Sequence, residues 1–225
     1  MPFYNTDHKQ ELERALEMTN IHYIFDPMCG WCYGAASLIE QLSDIENGTL
    51  HLHPGGMIER SPLSDDFRKH VRQADQRIAQ QTGAKFGDEY IAKITNGEPV
   101  ILDSYITAQA ILAAQSWGKA GIAMLKKIQQ AHYQQGLPVA EQKTLLALAQ
   151  ELGIEASHWE QAMLNAKAAL EETINQTHGL MDKLNVAGFP SLAYEKNGQW
   201  HKVPVSSFYN KPQKWSEFWQ HVITE

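Results

Sequence analysis

The sequence predicts an α/β chain in which a β-α-β unit and a closing β-β-α unit are separated by a long helical block. Three observations carry that prediction. An apolar run at residues 21–25 is followed by helical periodicity and then by a second strand-like run. Residues 61–185 carry no strand signal. Two short runs then flank Lys196-Asn197-Gly198 and lead into a last amphipathic segment.

Residues 8–18 read as a short, mostly polar helix with Leu12 and Leu16 on one face, and carry no evident chemistry. Ile21-His22-Tyr23-Ile24-Phe25 reads as a buried strand that Asp26-Pro27 stops. From Cys29 the period becomes helical, with Ala35, Leu38, Ile39, Leu42 and Ile45 as an apolar stripe ended by Asn47-Gly48. Residues 49–53 alternate as a second strand, stopped by Pro54-Gly55-Gly56, and a right-handed crossover makes the two strands parallel. Breakers divide the helical block into segments at 64–81, 103–117, a stretch from Gly118 and Gly121 to near Gly136, 139–152 and 157–184, the last with room for one break. Alanine-rich composition favours helix there. Asn197-Gly198 between 191–195 and 199–203 signals a hairpin, and residues 212–223 close the chain as an amphipathic helix with Trp215, Phe218, Trp219 and Val222. This order is that of a thioredoxin-like core, residues 1–60 and 186–225, split by an all-helical insertion at 61–185.

Composition narrows the function. The 225 residues suffice for one large domain or a domain carrying an insertion. Nineteen Lys and Arg against twenty-six Asp and Glu give a charge of −7, which argues against nucleic acid as a partner and against an anionic membrane surface. The opening residues lack the apolar core of a secretory signal, and no run approaches the ~18 apolar residues of a membrane helix, so a cytoplasmic location is expected. The only two cysteines lie three residues apart, whereas a disulfide scaffold carries more at wider spacing.

Cys29-Gly30-Trp31-Cys32 is therefore the candidate catalytic motif. Residues i and i+3 share a helical face with β-carbons ~5–6 Å apart, somewhat wider than the ~3.5–4.5 Å of a relaxed disulfide, so the geometry of the helix start must close the gap. At a helix N-terminus free amides and the dipole favour a thiolate, and pKa values of ~3.5–7.5 result. Cys29 stands there as nucleophile, and Cys32, one turn inside, as resolving thiol. The alternatives are half a zinc site, which His51 and His53 would have to complete, or inert cysteines. The ten histidines show no triad-like grouping.

The segment Asp26-Pro27-Met28-Cys29-Gly30-Trp31-Cys32-Tyr33-Gly34 resembles the active-site segment of the DsbA family, especially its FrnE-like cytosolic branch, and the layout beyond about Asn20 is similar as well. The resemblance implies a DsbA-like fold with Pro190 cis and facing the dithiol. Phe189 would then offer backbone hydrogen bonds to a bound substrate; the other reading is a plain strand-start proline. It also implies that many relatives place a buried acid where this chain has Tyr23. Asp26, Tyr23 or a water is left as proton relay, although Asp26-Pro27 also reads simply as a turn. Trp31 is read as a packing surface for substrate, or else as a cap on the insertion.

The expected activity is reversible dithiol–disulfide exchange on protein or small-thiol substrates, to reduce, form or isomerise disulfides, with no metal and no organic cofactor. The absence of a secretory signal favours reduction or isomerisation. One alternative is a glutathione-dependent transferase or isomerase of the kappa-class or hydroxychromene carboxylate isomerase type, whose members typically carry serine at the active position; it would bring glutathione as co-substrate. Another is a non-catalytic binding protein. Oligomeric state is not legible in the sequence.

Overall fold

The computed structural model describes residues 18–118 and 120–224. The helix expected at 8–18 lies, but for its last residue, outside the described residues. Strand β1, Thr19–Phe25, leads through Asp26-Pro27-Met28 into helix α1, Gly30–Glu40, and β2, Gly48–Pro54, runs parallel beside β1. At the other end of the chain β5, Ser191–Lys196, and β6, Gln199–Val203, form the expected hairpin. Asn197 and Gly198 turn it with φ of 52° and 72°, the left-handed pair a two-residue hairpin with right-handed strand twist requires. Strand β5 pairs antiparallel with β1, which closes a mixed sheet in the order β2-β1-β5-β6. A 3-10 turn, Val205–Phe208, precedes the last helix, Pro212–Thr224.

The intervening block departs from all-helical. A two-residue antiparallel ladder joins β3, Ser61–Pro62, to β4, Ile101–Leu102. Between them lie α2, Asp65–Thr82, and α3, Asp88–Asn96, the latter not anticipated. Helices α4, Ser104–Gln115, α5, Ala120–Tyr133, α6, Gln142–Glu151, and α7, Ala156–Leu184, follow. Caps explain several boundaries. The Ser64 side chain accepts from the Phe67 amide, Gly83 ends α2 at φ 74°, and Asp103 accepts from the Tyr105 and Ile106 amides. Helix α7 is unbroken, and its last turns cover the sheet: Leu184 packs with Ile24 and Ala193, and the His178 ring meets the Gly55 carbonyl at 2.8 Å. The last turns of α7, just before residue 185, thus already lie against the sheet. With the final helix now α8, the opposite face is sealed by α1 and α8, where fully buried Trp215 donates its indole N–H to the Leu38 carbonyl at 2.8 Å.

One carboxylate ties these parts together. Asp26, at the end of β1, has no exposed surface. It accepts from the Met28 amide (2.8 Å), the Met57 amide (2.7 Å) and the Ser104 hydroxyl (2.7 Å). The turn into α1, the loop after β2 and the first residue of α4 thus converge on one side chain. Burial raises its pKa, and the three donors work the other way.

The α7-covered face of the sheet carries His22, His51 and His53. His22 lies 4.9 Å from His51 and 5.2 Å from His53, ring to ring, and its Nδ1 meets His53 Nε2 at 3.0 Å. His51 is held by Asn20 at 2.9 Å. In the parallel register His51 pairs with His22, whereas Tyr23 pairs with Leu52, so the histidines face away from Tyr23 and the residues packed with it.

Two outcomes follow from these contacts. Asp26→Ala leaves two buried donors without an acceptor, each loss costing roughly 1–3 kcal/mol, and a third, part-buried one at Met57, so chemical denaturation should show at least ~2 kcal/mol less stability; a change within ~0.5 kcal/mol would show that the carboxylate ties nothing together. Burial first, then neighbouring histidines, lowers His22 and His53 from 6.5 to about 4, and burial alone lowers His132 to about 4. Between those values the unfolded chain takes up protons that the folded chain refuses. The stability these histidines contribute is therefore full above about pH 6.5 and is lost towards pH 4, so His53→Gln should lose less stability over that window than wild type. Equal slopes in the two proteins over that window would contradict this origin.

Candidate active site

Cys29 is the N-cap residue of α1, in extended conformation (φ −83°, ψ 118°), and the first helical hydrogen bond runs from the Tyr33 amide to its carbonyl at 3.1 Å. Its own amide is fixed by the Asp26 carbonyl at 3.1 Å. The thiol is buried but not sealed, at 7% exposure, while Cys32 beneath it has none. Both are reduced. A hydrogen bond from the Cys32 side chain, and after it the Cys32 and Trp31 amides, hold the Cys29 pKa below its ordinary value despite burial. Burial, and then the adjoining Cys29, push Cys32 well above its own. The two thiols are thereby split, Cys29 favoured as the anion and Cys32 held protonated.

The Phe189–Pro190 peptide bond is cis, and the Phe189 carbonyl stands 3.6 Å from Cys29 Sγ. The two segments, 160 residues apart in the chain, face each other as the resemblance implied. The Phe189 amide has no hydrogen-bond acceptor among the described residues and is available to an incoming backbone. The Phe189 ring does something else. It packs on Gly55, where an added Cβ would lie 2.0 Å from the ring, so glycine there lets the proline loop dock. Only the backbone of Phe189 faces the thiol.

Trp31 is half-buried and stacks on Tyr209 (5.9 Å, 12°), not on the insertion. It also lines a cavity of about 300 Å³ that opens beside Cys29, across from the insertion. Sequence reasoning missed this cavity. Its walls come from Met28 and Met57 on the thioredoxin side and from Phe67, Val71 and Ile78 on α2, with Tyr90, His132 and Tyr133 deeper in the insertion. Met57 and Phe67 leave 46% and 42% of their surface exposed, so the cavity is unusually apolar where it meets solvent. Tyr133 donates to the Met28 carbonyl at 2.7 Å and holds the turn before Cys29 from the insertion side. Apolar spacing along α5 was the one available sign that Tyr133 lies on a buried face.

The candidate relays have different surroundings. Asp26 is occupied by its three donors. The Tyr23 hydroxyl is wholly buried, with the Cys32 thiol as its side-chain hydrogen-bonding neighbour and Cys29 also within electrostatic reach. Burial, then those two thiols, raise its pKa far above the ordinary value. His51 and His53 are not brought to the cysteines, and no three or more His, Cys, Asp or Glu side chains are arranged to hold a metal ion among the described residues. No described helix is long and apolar enough to cross a membrane.

Known proteins place this geometry. The model of the DsbA-like thioredoxin domain matches residues 20–208. The cytosolic disulfide reductase DsbM from Pseudomonas aeruginosa is 34% identical, with a TM-score of 0.85 over 91% of this chain and 98% of that one. Its structure with GSH aligns at 32% identity and TM-score 0.84, over 92% and 100%. A 2-hydroxychromene-2-carboxylate isomerase shares the fold alone, at 15% identity and TM-score 0.53 over 90% and 97%, which does not favour the transferase or isomerase alternative. A comparison with curated protein sequences finds no match. The family match and the split dithiol agree: the chain belongs to the DsbA-like thioredoxin-domain family and is a thiol–disulfide oxidoreductase.

Proposed function

We propose that this protein works as a cytoplasmic disulfide reductase, with glutathione as the co-substrate that returns electrons to the dithiol. The observation that carries this reading is the pairing of a Cys29 thiol of lowered pKa with the Phe189 backbone and the cis proline, above a fully buried Cys32. It is supported by the 34% identity to a cytosolic disulfide reductase and by that protein's structure with GSH. Protein disulfides and small disulfides are both admissible substrates, because the Phe189 amide suits a peptide backbone and the adjoining cavity suits a small group.

The cycle needs no metal and no organic cofactor. The Cys29 thiolate attacks one sulfur of the substrate disulfide, that S–S bond breaks, and the departing sulfur leaves as a thiolate that takes up a proton. Cys32 then displaces the second substrate sulfur from Cys29, which leaves the enzyme as an internal disulfide. Two glutathione thiols restore the dithiol and become glutathione disulfide.

Cys32 must lose its proton although burial opposes this. Burial raises the pKa of Asp26, and a proton taken there would remove the charge that opposes the Cys32 thiolate, against the pull of the three donors that favour the ionised form. Tyr23 cannot act as a shuttle, because a phenol whose pKa is raised keeps its proton. What Tyr23 offers is a buried O–H without another partner, placed to donate to the Cys32 thiolate as it forms.

Glutathione-driven reduction of insulin should fall to background in Cys29→Ser, and full activity there would remove the assignment. Alkylation by iodoacetamide against pH should give a Cys29 midpoint below the free-thiol value, moving upward in Cys32→Ala, where its main stabilising hydrogen bond is gone; an unmoved midpoint would contradict that cause. Tyr23→Phe should slow release of the mixed disulfide about tenfold or more, the size of a ~1.5–3 kcal/mol hydrogen bond to a charged group, without loss of stability. Unchanged release would leave the hydroxyl without a role.

A further inference from the structure

Within the cavity beside Cys29 lies a carboxylate that the exchange cycle does not use. Asp75, on α2, accepts from the Tyr90 hydroxyl at 2.9 Å through Oδ2. Its Oδ1 makes no hydrogen bond or ion pair among the described residues, and lies 3.5 Å from where a Cβ on Gly30 would stand. The free oxygen is thus set against the dipeptide between the two cysteines, at the wall of the cavity that Cys29 also lines. Gly30 permits this arrangement, since a methyl group there would press on Ile78 at 2.9 Å.

Among the described residues, no Lys or Arg lines the cavity to pair with that charge. His132 is buried with its pKa lowered to about 4, and so is neutral near pH 7. His70 lines the cavity too, stacked on the partly exposed Phe67. Burial raises Asp75 to about 6, which leaves it ionised at neutral pH but poorly solvated. An apolar enclosure with one under-solvated carboxylate next to a nucleophilic sulfur is complementary to an aliphatic chain that ends in an ammonium group. A volume of about 300 Å³ suits a small molecule.

We infer that the cavity receives the half of a small disulfide that becomes bonded to Cys29, and that Asp75 selects aliphatic aminothiols by accepting from their ammonium group. This rests on the exchange function proposed above and names the substrate class for the cavity. In the cycle the Cys29 thiolate bonds to one sulfur of the aminothiol disulfide, and the other half leaves as thiolate. The bound half keeps its ammonium on Asp75 until Cys32 displaces it. One disulfide and the enzyme dithiol become two aminothiols and the enzyme disulfide.

The test compares second-order rates of the reduced enzyme with cystamine, bis(2-hydroxyethyl) disulfide and dithiodipropionate, which are cationic, neutral and anionic. Each rate is divided by that of dithiothreitol with the same disulfide, which removes intrinsic sulfur reactivity. After this correction wild type should prefer cystamine over the neutral disulfide by about tenfold, as one solvent-weakened charge-assisted hydrogen bond supplies, and disfavour the anion. Asp75→Asn should bring the cystamine preference to within about twofold of unity. A wild-type ratio already near unity overturns the inference without any variant, and so does a preference that survives Asp75→Asn. If wild type fails to react faster than Cys29→Ser with every disulfide, the exchange reading itself fails instead.

Discussion

The structure depends on the buried carboxylate of Asp26. A carboxylate withdrawn from water is tolerated only where its lone pairs are filled, and here three donors from three segments fill them. The Met28 amide fixes the turn into α1, the Met57 amide fixes the loop after β2, and the Ser104 hydroxyl brings in the first turn of α4. The Asp26 backbone carbonyl then takes the Cys29 amide. Tyr133 reaches across from the insertion to the Met28 carbonyl and holds the same turn from its other side. The dithiol is consequently positioned by the insertion as much as by the sheet, and the cavity between them has a fixed wall.

That placement governs the chemistry. The Cys29 anion is favoured by the Cys32 thiol and by amides at the start of α1. Dependence on Cys32 couples the two steps of the cycle, because the hydrogen bond that activates the nucleophile is the one lost when Cys32 itself attacks. A buried acid would relieve Cys32 by accepting its proton. Asp26 is such an acid, and Tyr23 on β1 adds a phenol that can stabilise the resulting thiolate but not take the proton. The cis-proline loop supplies backbone alone to the site, and the Phe189 ring is used inside to seat the loop on Gly55.

Much of this was legible in the sequence where local chemistry and tertiary structure agree. The 21–25 run, the Asn197-Gly198 turn and the Ser64 and Asp103 caps each name their own conformation. Helix α3 was not legible, for its nine residues bury only Tyr90 and Ile94, too few to establish a period. The β3–β4 ladder is two residues a side and includes a proline, so it has no pattern of its own. Gly179 made a break in α7 plausible at ~1 kcal/mol relative to alanine, but the last turns packed on the sheet hold the helix together. At the site, the motif identified the cysteines, and the family resemblance identified Pro190. The partners Asp75, Ser104, Tyr133 and Tyr209 lie 46 to 180 residues beyond Cys29, the first three on helices whose periodicity gives a buried face but not what it faces and the last in a turn, which is why the cavity and its carboxylate emerged only from the fold.

The central claim is that Cys29 and Cys32 form one reversible redox centre that glutathione keeps reduced. Its most direct test is the equilibrium of the purified protein across a series of glutathione to glutathione disulfide ratios, with the two thiol states separated by alkylation. The account predicts a single two-electron transition with a potential on the reducing side, between about −200 and −270 mV, where glutaredoxins and thioredoxin lie. A dithiol that stays reduced at every ratio, or a potential near the ~−120 mV of a strong oxidant, would contradict it.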